Sequence, residues 1–304
     1  MKSYFSTLFA LFITASAWAA APQDMRFHCA NDTVRINELL SKGAQSGKQS
    51  PNALVEFYAR ELMGTPYVAH TLEGEREWLT INIDELDCTT FVETLYALTR
   101  TTLDGRNSWR DYARNLENIR YRDGNMGDYS SRLHYVSDWI VNNFHRGNIR
   151  EITPEIDGAR YDVKTLDFMS KHRDSYPQLA DSAMWAKVKN FEIGYRMHRY
   201  PYLKKEWLDA KKAKAIKSGD FVALVTKADG LEVSHMGVII KSGDKLYLLH
   251  ASSTDKKVVL EKDELKETLR RNRSWTAIRV IRIVEKSRTN NDKKAPATSF
   301  CGRG

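Results

Sequence analysis

A succession of short apolar runs in the last third of the chain predicts an antiparallel β-sheet. The runs are rich in β-branched and aromatic residues, and Gly, Asp and Lys separate them at the expected turns. They cover residues 220–226, 233–240, 245–251, 256–260 and 276–284. Residues 263–271 carry a helical pattern instead. A chain of 304 residues with 42% hydrophobic content can bury a substantial core around such a sheet.

A second constraint is an amphipathic helix that begins beside a cysteine. Apolar residues at positions 91, 92, 95 and 98 share one face, which predicts a helix over residues 89–100. Asp87 is a natural N-cap and puts Cys88 in the first turn. Unpaired backbone N–H groups and the helix dipole favour an anion there, so we expect Cys88 to be a nucleophilic thiolate. The alternative is a cysteine that only packs.

Two histidines on neighbouring predicted strands could serve such a nucleophile. His235 is followed by Gly237, which allows close backbone approach, and the next strand carries His250. Adjacent antiparallel strands can bring the two imidazoles together, as a base and the partner that orients its ring. Zinc binding by Cys88 and the two histidines is an alternative, although short ligand spacing is lacking. His250 could also simply hydrogen bond a strand end.

The chain before the sheet is mostly helical in its periodicity. Apolar spacing predicts a helix over residues 52–63 that Gly64 ends, after a polar loop over residues 41–51. A long block, residues 105–212, carries further helical patterns at 109–120, 131–144, 164–172 and 180–197. We expect this block to be either an insertion that covers a site or a plain helical subdomain.

The first 21 residues have the features of a secretory signal peptide. Lys2 precedes an apolar stretch, and Ala17-Trp18-Ala19 fits a cleavage site flanked by small residues. The apolar stretch is shorter than the roughly 20 residues of a bilayer span, which disfavours an anchoring helix. We therefore expect an exported protein, periplasmic in a Gram-negative host, with no membrane span after cleavage. An N-terminal segment over residues 22–50 would follow the signal peptide, and residues 285–304 would form a flexible tail.

Export affects the interpretation of the three cysteines. In an oxidising compartment Cys29 and Cys301 could form a disulfide, or both could remain free. Cys88 would then be an unpaired thiol in an exported protein, and its presence would need a functional explanation. The cysteines lack C-x-x-C spacing, which excludes a structural zinc ribbon.

Several short motifs, in this order, resemble the NlpC-type, papain-like cysteine peptidases of bacterial cell walls. The motifs are Gly64-Thr65-Pro66-Tyr67, Asp87-Cys88, Gly219-Asp220, His235-Met236-Gly237 and His250-Ala251-Ser252. Longer runs around Tyr67, Cys88, residues 131–135 and His235 are similar to one branch of that superfamily, long catalogued as a domain of unknown function. That branch is similar to N-acetylmuramoyl-L-alanine amidases acting on anhydro-muropeptides.

The resemblance covers roughly residues 51–284 and implies an α+β fold. In such a fold the nucleophile helix packs on an antiparallel sheet, here with a large helical insertion between Cys88 and His235. The resemblance also implies that Cys88, His235 and a third polar residue, for which we take His250, are catalytic. Tyr67 and the insertion would shape the substrate pocket. Further candidate substrate-binding residues are Asp87, Arg132, His134 and Tyr135; the last three could instead be the outward-facing start of an amphipathic helix.

The expected activity is hydrolysis of the amide that joins muramic acid to L-alanine, through a thioester on Cys88 and without a metal or organic cofactor. A γ-D-glutamyl endopeptidase with the same core and a non-catalytic cell-wall-binding module are the alternatives. The net charge of +8 suits carboxylate-bearing peptidoglycan fragments (muropeptides) as partners, although a solvated basic surface explains it equally well. We expect no specific nucleic-acid binding, and the sequence leaves the oligomeric state open.

Overall fold

A computed structural model describes residues 24–209 and 211–285. The predicted signal peptide, the tail beyond residue 285 and Cys301 lie outside these residues. The helices are α1 Asp32–Gln45, α2 Pro51–Glu61, α3 Cys88–Leu103, α4 Trp109–Arg120, α5 Val136–His145, α6 Phe168–Lys171, α7 Ser182–Ile193 and α8 Leu265–Arg271. The strands are β1 Met25–Phe27, β2 Leu79–Ile81, β3 Ile149–Glu151, β4 Arg160–Lys164, β5 His198–Lys204, β6 Phe221–Thr226, β7 Val233–Ser242, β8 Lys245–Ser252, β9 Lys257–Leu260 and β10 Trp275–Ile283.

The main sheet is antiparallel, as the strand pattern predicted. Its order is β4-β5-β10-β6-β7-β8-β9, and β3 pairs with the far end of β10. The strands β6 to β10 coincide with the predicted runs to within two residues. Among the strands of residues 24–209 and 211–285, only the short β1 and β2 pair in parallel, in a separate two-stranded sheet. The described part of the chain is therefore a mixed α/β fold with eight helices and an antiparallel sheet.

Helix α3, which begins at Cys88, lies at the centre of the largest core. Its residues 90–101 are all buried, and helices α1, α2, α4 and α5 share its apolar cluster with β7. The opposite face of the sheet packs on α8 in a second cluster. A smaller third cluster joins α6 and α7 to Tyr129 and Tyr135. Helices α4 and α5 therefore belong to the main core, although the sequence grouped them with the insertion.

The prediction of a helical block over residues 105–212 is wrong in part. Three of its segments are strands of the main sheet, namely β3, β4 and β5. The predicted helix over 131–144 begins only at Val136, and the one over 164–172 is reduced to the single turn of α6. In β4 and β5, aromatic and β-branched residues do alternate, but Arg, Asp and Lys stand between them. Pairing with β10 supplies the stabilisation that the local pattern does not reveal.

The predicted loop over residues 41–51 is also partly wrong, because α1 continues to Gln45. Gly43 lies inside this helix, where a glycine reduces helix propensity. A Cβ atom at this position would lie 1.8 Å from the Tyr58 hydroxyl oxygen of α2. The glycine is therefore needed for close packing of α1 on α2. Within the described residues, no helix is both long and apolar enough to cross a membrane.

Candidate active site

A capping box fixes Cys88 at the start of α3. The Asp87 carboxylate accepts hydrogen bonds from the backbone N–H groups of Thr89 and Thr90, at 3.0 and 2.8 Å. The Thr90 hydroxyl oxygen in turn accepts the Asp87 backbone N–H at 2.8 Å. This reciprocal arrangement confirms the predicted N-cap. The carboxylate of Asp87 is engaged by its own helix; its predicted contact with substrate stays a prediction.

The Cys88 sulfur is surrounded by protein, although the residue keeps part of its surface open to solvent. Burial raises the pKa of its thiol to about 11, and the neighbouring Asp87 charge adds to the effect. Hydrogen bonds from the backbone of Met236 and Cys88 and from the Thr89 side chain oppose this rise without cancelling it. The expected resting thiolate is therefore wrong. Desolvation outweighs the helix terminus, and the resting group is a thiol.

The two histidines and one glutamate form a continuous hydrogen-bonded chain. His235 Nε2 lies 2.6 Å from His250 Nδ1, and His250 Nε2 lies 3.1 Å from Glu261 Oε1. Arg271 contacts the other oxygen of Glu261 at 3.2 Å. Trp275 stacks on the His235 ring, with centroids 5.5 Å apart. His250 is only 4% exposed, so its ring has little freedom to turn.

The chain of hydrogen bonds determines where the protons lie. The Glu261 carboxylate oxygen accepts from His250 Nε2–H, which leaves His250 Nδ1 as an acceptor. That atom then accepts from His235 Nε2–H, and His235 Nδ1 keeps its lone pair. Burial, assisted by His250, lowers the pKa of His235 to about 3, so its ring is neutral. His235 is thus prepared to accept a proton at Nδ1.

The sulfur and this histidine chain meet through the backbone of β7. Met236, the residue after His235, contributes the backbone hydrogen bond to the Cys88 sulfur. Among the described residues, that sulfur makes no hydrogen bond with either imidazole, and its side-chain partner is the Thr89 hydroxyl at 3.9 Å. Cys88 and His235 are therefore neighbours across the α3–β7 contact. A direct proton transfer requires the two side chains to move closer together, and catalytic hydrogen bonds often tighten when substrate binds.

Gly237 explains how the two histidine-bearing strands approach. A Cβ atom at this position would lie 2.9 Å from the Leu249 carbonyl oxygen and 3.0 Å from the His250 Cβ. The absence of a side chain leaves room for His250 beside His235, as the sequence predicted. Glu261 was missed, because a charged residue directly after β9 has the appearance of a turn residue. If the alternation of β9 is continued by one residue, Glu261 lies on the same face as Val259, and Val259 pairs with His250. This alternation is the signal that could have identified Glu261.

The Gly64-Thr65-Pro66-Tyr67 segment connects the loop that precedes Cys88 to the outer edge of the sheet. Its backbone bonds to β9 through Gly64 and Thr65, and to Leu86 on the other side. Burial, followed by the nearby Cys88 and Asp87, raises the pKa of Tyr67 to about 12. The neutral phenol is partly exposed beside the sulfur. This position is compatible with the predicted contact between Tyr67 and substrate.

The three candidates of the middle block are occupied by internal contacts. Arg132 is 5% exposed and donates to Glu73 at 2.7 Å. His134 lies 2.8 Å from the Tyr129 carbonyl oxygen, and burial together with Arg132 lowers the pKa of its ring to about 3. The Tyr135 hydroxyl donates to Glu192 at 2.7 Å and accepts from the Met169 backbone N–H at 2.8 Å. Their role in substrate binding stays a prediction.

The side chains whose spacing could suit a metal ion lie away from Cys88. Cys88, His235 and His250 do not bring three ligand atoms within 4.8 Å of one another; in the described residues only Cys29, Asp32 and Asp84 do. The arrangement around Cys88 therefore supports the nucleophile and base interpretation over zinc. A neutral thiol beside a neutral imidazole, with an ionised carboxylate behind it, is suited to acyl transfer.

The fold and this cluster indicate an enzyme of the amidase type. The family described as N-acetylmuramoyl-L-alanine amidase-like (AmiA-like) matches residues 58–277. The chain therefore belongs to the N-acetylmuramoyl-L-alanine amidase-like family. No protein of curated function matches the sequence.

Solved structures give the same indication. An N-acetylmuramoyl-L-alanine amidase from Bacteroides uniformis is 40% identical, with a TM-score of 0.74 over 77% of this chain and 99% of its own. A Bacteroides fragilis protein provisionally called a xylanase is also 40% identical, with a TM-score of 0.70 over 74% of this chain and 99% of its own. A Legionella pneumophila protein with 19% identity shares the fold, with a TM-score of 0.64 over 83% of this chain and 95% of its own.

Proposed function

We propose that the protein is a cysteine-dependent N-acetylmuramoyl-L-alanine amidase that acts on muropeptides. Cys88 is the nucleophile, His235 the general acid and base, and His250 the residue that orients His235. The observation that carries the proposal is the hydrogen-bonded chain from Glu261 through His250 to His235, next to a cysteine at a helix start. Family membership supports the same reaction.

The reaction begins from a neutral thiol and a neutral imidazole. His235 Nδ1 accepts the Cys88 proton as the sulfur attacks the carbonyl carbon between the lactyl group and L-alanine. The oxyanion needs N–H donors, and those of Thr89 and Thr90 are already bound by Asp87. The backbone N–H of Cys88 itself is the first-turn donor next to the sulfur.

The second half of the reaction regenerates the enzyme. His235 gives its proton to the departing L-alanine amine, which leaves a thioester between Cys88 and the lactyl carboxyl. Water then attacks the thioester while His235 accepts a water proton, and that proton returns to the sulfur. The Glu261 carboxylate stabilises the transient positive charge on the two imidazoles through the hydrogen bonds at 2.6 and 3.1 Å.

We further propose the anhydro form of muramic acid as the preferred sugar, an NlpC-type, papain-like core, and export to the periplasm. The sequence motifs support all three, and the packing of α3 against the sheet supports the second. Tyr67 is the candidate for contact with the substrate next to the bond that is cleaved, because it is partly exposed beside the sulfur.

Product analysis tests the proposal. Purified anhydro and reducing muropeptides are incubated side by side with the enzyme and separated by mass. We expect the free sugar acid and an intact stem peptide with a free L-alanine amine, mainly from the anhydro substrate. Products cut within the stem after D-glutamate would identify an endopeptidase instead. Unchanged turnover by a folded Cys88→Ala variant would refute the nucleophile assignment.

A xylan control addresses the name given to the Bacteroides fragilis structure. Glycoside hydrolysis uses two carboxyl groups that flank the scissile bond. Near Cys88, the Asp87 carboxylate is bound by the start of α3 and the Glu261 carboxylate by His250 and Arg271, so the two do not form such a pair. We expect no release of reducing sugar from xylan.

A further inference from the structure

We propose that Cys29, Asp32 and Asp84 bind a divalent transition metal ion, with Zn²⁺ as the ion that best suits the ligand set. One ligand atom from each of the three side chains lies within 4.8 Å of the other two. A thiolate with carboxylates favours Zn²⁺ over Mg²⁺ or Ca²⁺, which prefer oxygen ligands alone. This site is separate from the proposed chemistry at Cys88.

The distance between two of the three ligand atoms agrees with tetrahedral zinc. Cys29 Sγ lies 3.5 Å from Asp84 Oδ2. Zn–S and Zn–O bonds of about 2.3 and 2.0 Å at a tetrahedral angle put their two ligand atoms about 3.5 Å apart. The pair could therefore bind the ion with little movement.

Asp32 supplies the observation that distinguishes a site from a chance cluster. The residue is fully buried, and its Oδ2 accepts the Cys29 backbone N–H at 2.8 Å. Its other oxygen, Oδ1, has no hydrogen-bond partner in the described part of the chain. A buried carboxylate oxygen without a partner is costly, and a bound cation would remove that cost.

The local charges also call for a cation. Arg35 pairs with Asp84 through Oδ1, so that Asp84 Oδ2 remains directed at the sulfur. Two carboxylates and a thiolate, offset by one guanidinium, leave a net charge of −2 that a divalent ion neutralises. Cys29 releases its proton on binding. Because Cys29 and Asp84 are partly exposed, an ion can enter and keep water as its fourth ligand.

The ion would connect two segments that are distant in sequence. Cys29 and Asp32 lie at the start of α1, whereas Asp84 lies in the loop that ends at the Asp87 cap. A metal bridge would therefore brace the loop that leads into Cys88. This consequence concerns stability and is independent of which substrate the enzyme cleaves.

The experiment uses the mature chain, reduced and freed of metal, then loaded with Zn²⁺ and desalted. Elemental analysis gives the metal content, and Co²⁺ in place of Zn²⁺ reports a thiolate ligand through its near-ultraviolet charge-transfer band. The variants are Cys29→Ser and Asp32→Asn, with Cys88→Ser and Cys301→Ser as matched controls for the other two thiols. Circular dichroism verifies that each variant is folded.

We expect about one zinc per chain in the wild type and in both control variants, and at least a tenfold lower content in Cys29→Ser. Zn²⁺ at a hundredfold excess over its Kd should raise the wild-type Tm by about 5 °C. Equal metal content in the wild type and Cys29→Ser, or no retained metal in the reduced wild type, would overturn the proposal. So would a Cys29–Cys301 disulfide in place of metal in the protein before reduction. None of these results depends on amidase activity.

Discussion

Replacing Glu261 by Gln removes one negative charge from the end of the histidine chain and keeps the side-chain shape. The path from Glu261 Oε1 to His235 Nε2 runs through a hydrogen bond of 3.1 Å, the imidazole ring of His250 and a hydrogen bond of 2.6 Å. The carboxylate therefore lies roughly 8 Å from His235 Nε2. A unit charge at that distance stabilises the His235 imidazolium by about 2 kcal/mol at an effective dielectric constant near 20. Because this charge develops during the reaction, kcat should fall about 30-fold.

Steady-state kinetics on a purified anhydro-muropeptide measures this loss. We expect KM to change little, because Glu261 stands behind the two imidazoles and does not reach the substrate. Arg270→Gln is the matched control, since Arg270 follows Glu261 by nine residues and pairs with Glu267 at the surface. A folded Glu261→Gln enzyme with kcat within twofold of the wild type would show that the carboxylate does not stabilise the base, and the proton assignments above would be wrong.

Three further predictions concern buried groups. The rate of Cys88 alkylation by iodoacetamide should rise about tenfold per pH unit from pH 7 to 9.5, because the thiol pKa is about 11. A rate that is already constant near neutral pH would indicate a resting thiolate. Burial lowers the pKa of His134 to about 3 in the folded protein, below the value of about 6.5 for an unperturbed histidine. The unfolded chain therefore binds more protons between these values, and stability rises with pH. In urea titrations at pH 4 to 6, His134→Gln should reduce this slope by about 1 kcal/mol per pH unit, and an unchanged slope would contradict its burial as a neutral ring. Arg120→Met should lower the free energy of unfolding by about 3–5 kcal/mol, because it leaves the Glu93 carboxylate buried and unpaired. In the same titrations, adding Glu93→Gln to this variant should recover much of the loss. Equal stability of the single and the double variant would argue against this explanation.

The elements that the sequence predicted well are those whose information is local. The α3 boundary follows from the Asp87 cap, and the strands β6 to β10 follow from runs of β-branched residues between turns. The proximity of His235 and His250 follows from the short turn that joins their two strands. For the α3 cap and for the pairs formed by β6, β7, β8 and β9, the interactions lie within about twenty residues along the chain. The strand β10 is recognisable from its own alternation, although it pairs with β6 about 50 residues away.

The elements that were missed depend on tertiary contacts. The strand β5 pairs with β10, more than 70 residues away, and β4 joins the sheet by pairing with β5. The protonation of Cys88 was misjudged because the helix terminus is a local feature, whereas the desolvation that dominates comes from the tertiary burial of the sulfur. The register of β8 and β9 brings Glu261 to His250, and the alternation of β9 indicates this contact only once that register is known.

The strand β9 closes one end of the sheet, yet its outer side is not bare. Gly64, Thr65 and Tyr67 use their backbones to occupy it, through hydrogen bonds of 2.8 to 2.9 Å with Lys256 and Val258. An uncovered edge strand is a template for a second chain, and this cover blocks such intermolecular pairing. Loosening residues 64–67 should therefore favour aggregation at high concentration as well as displace Tyr67. Soluble yield and turnover should decline together in variants of this segment.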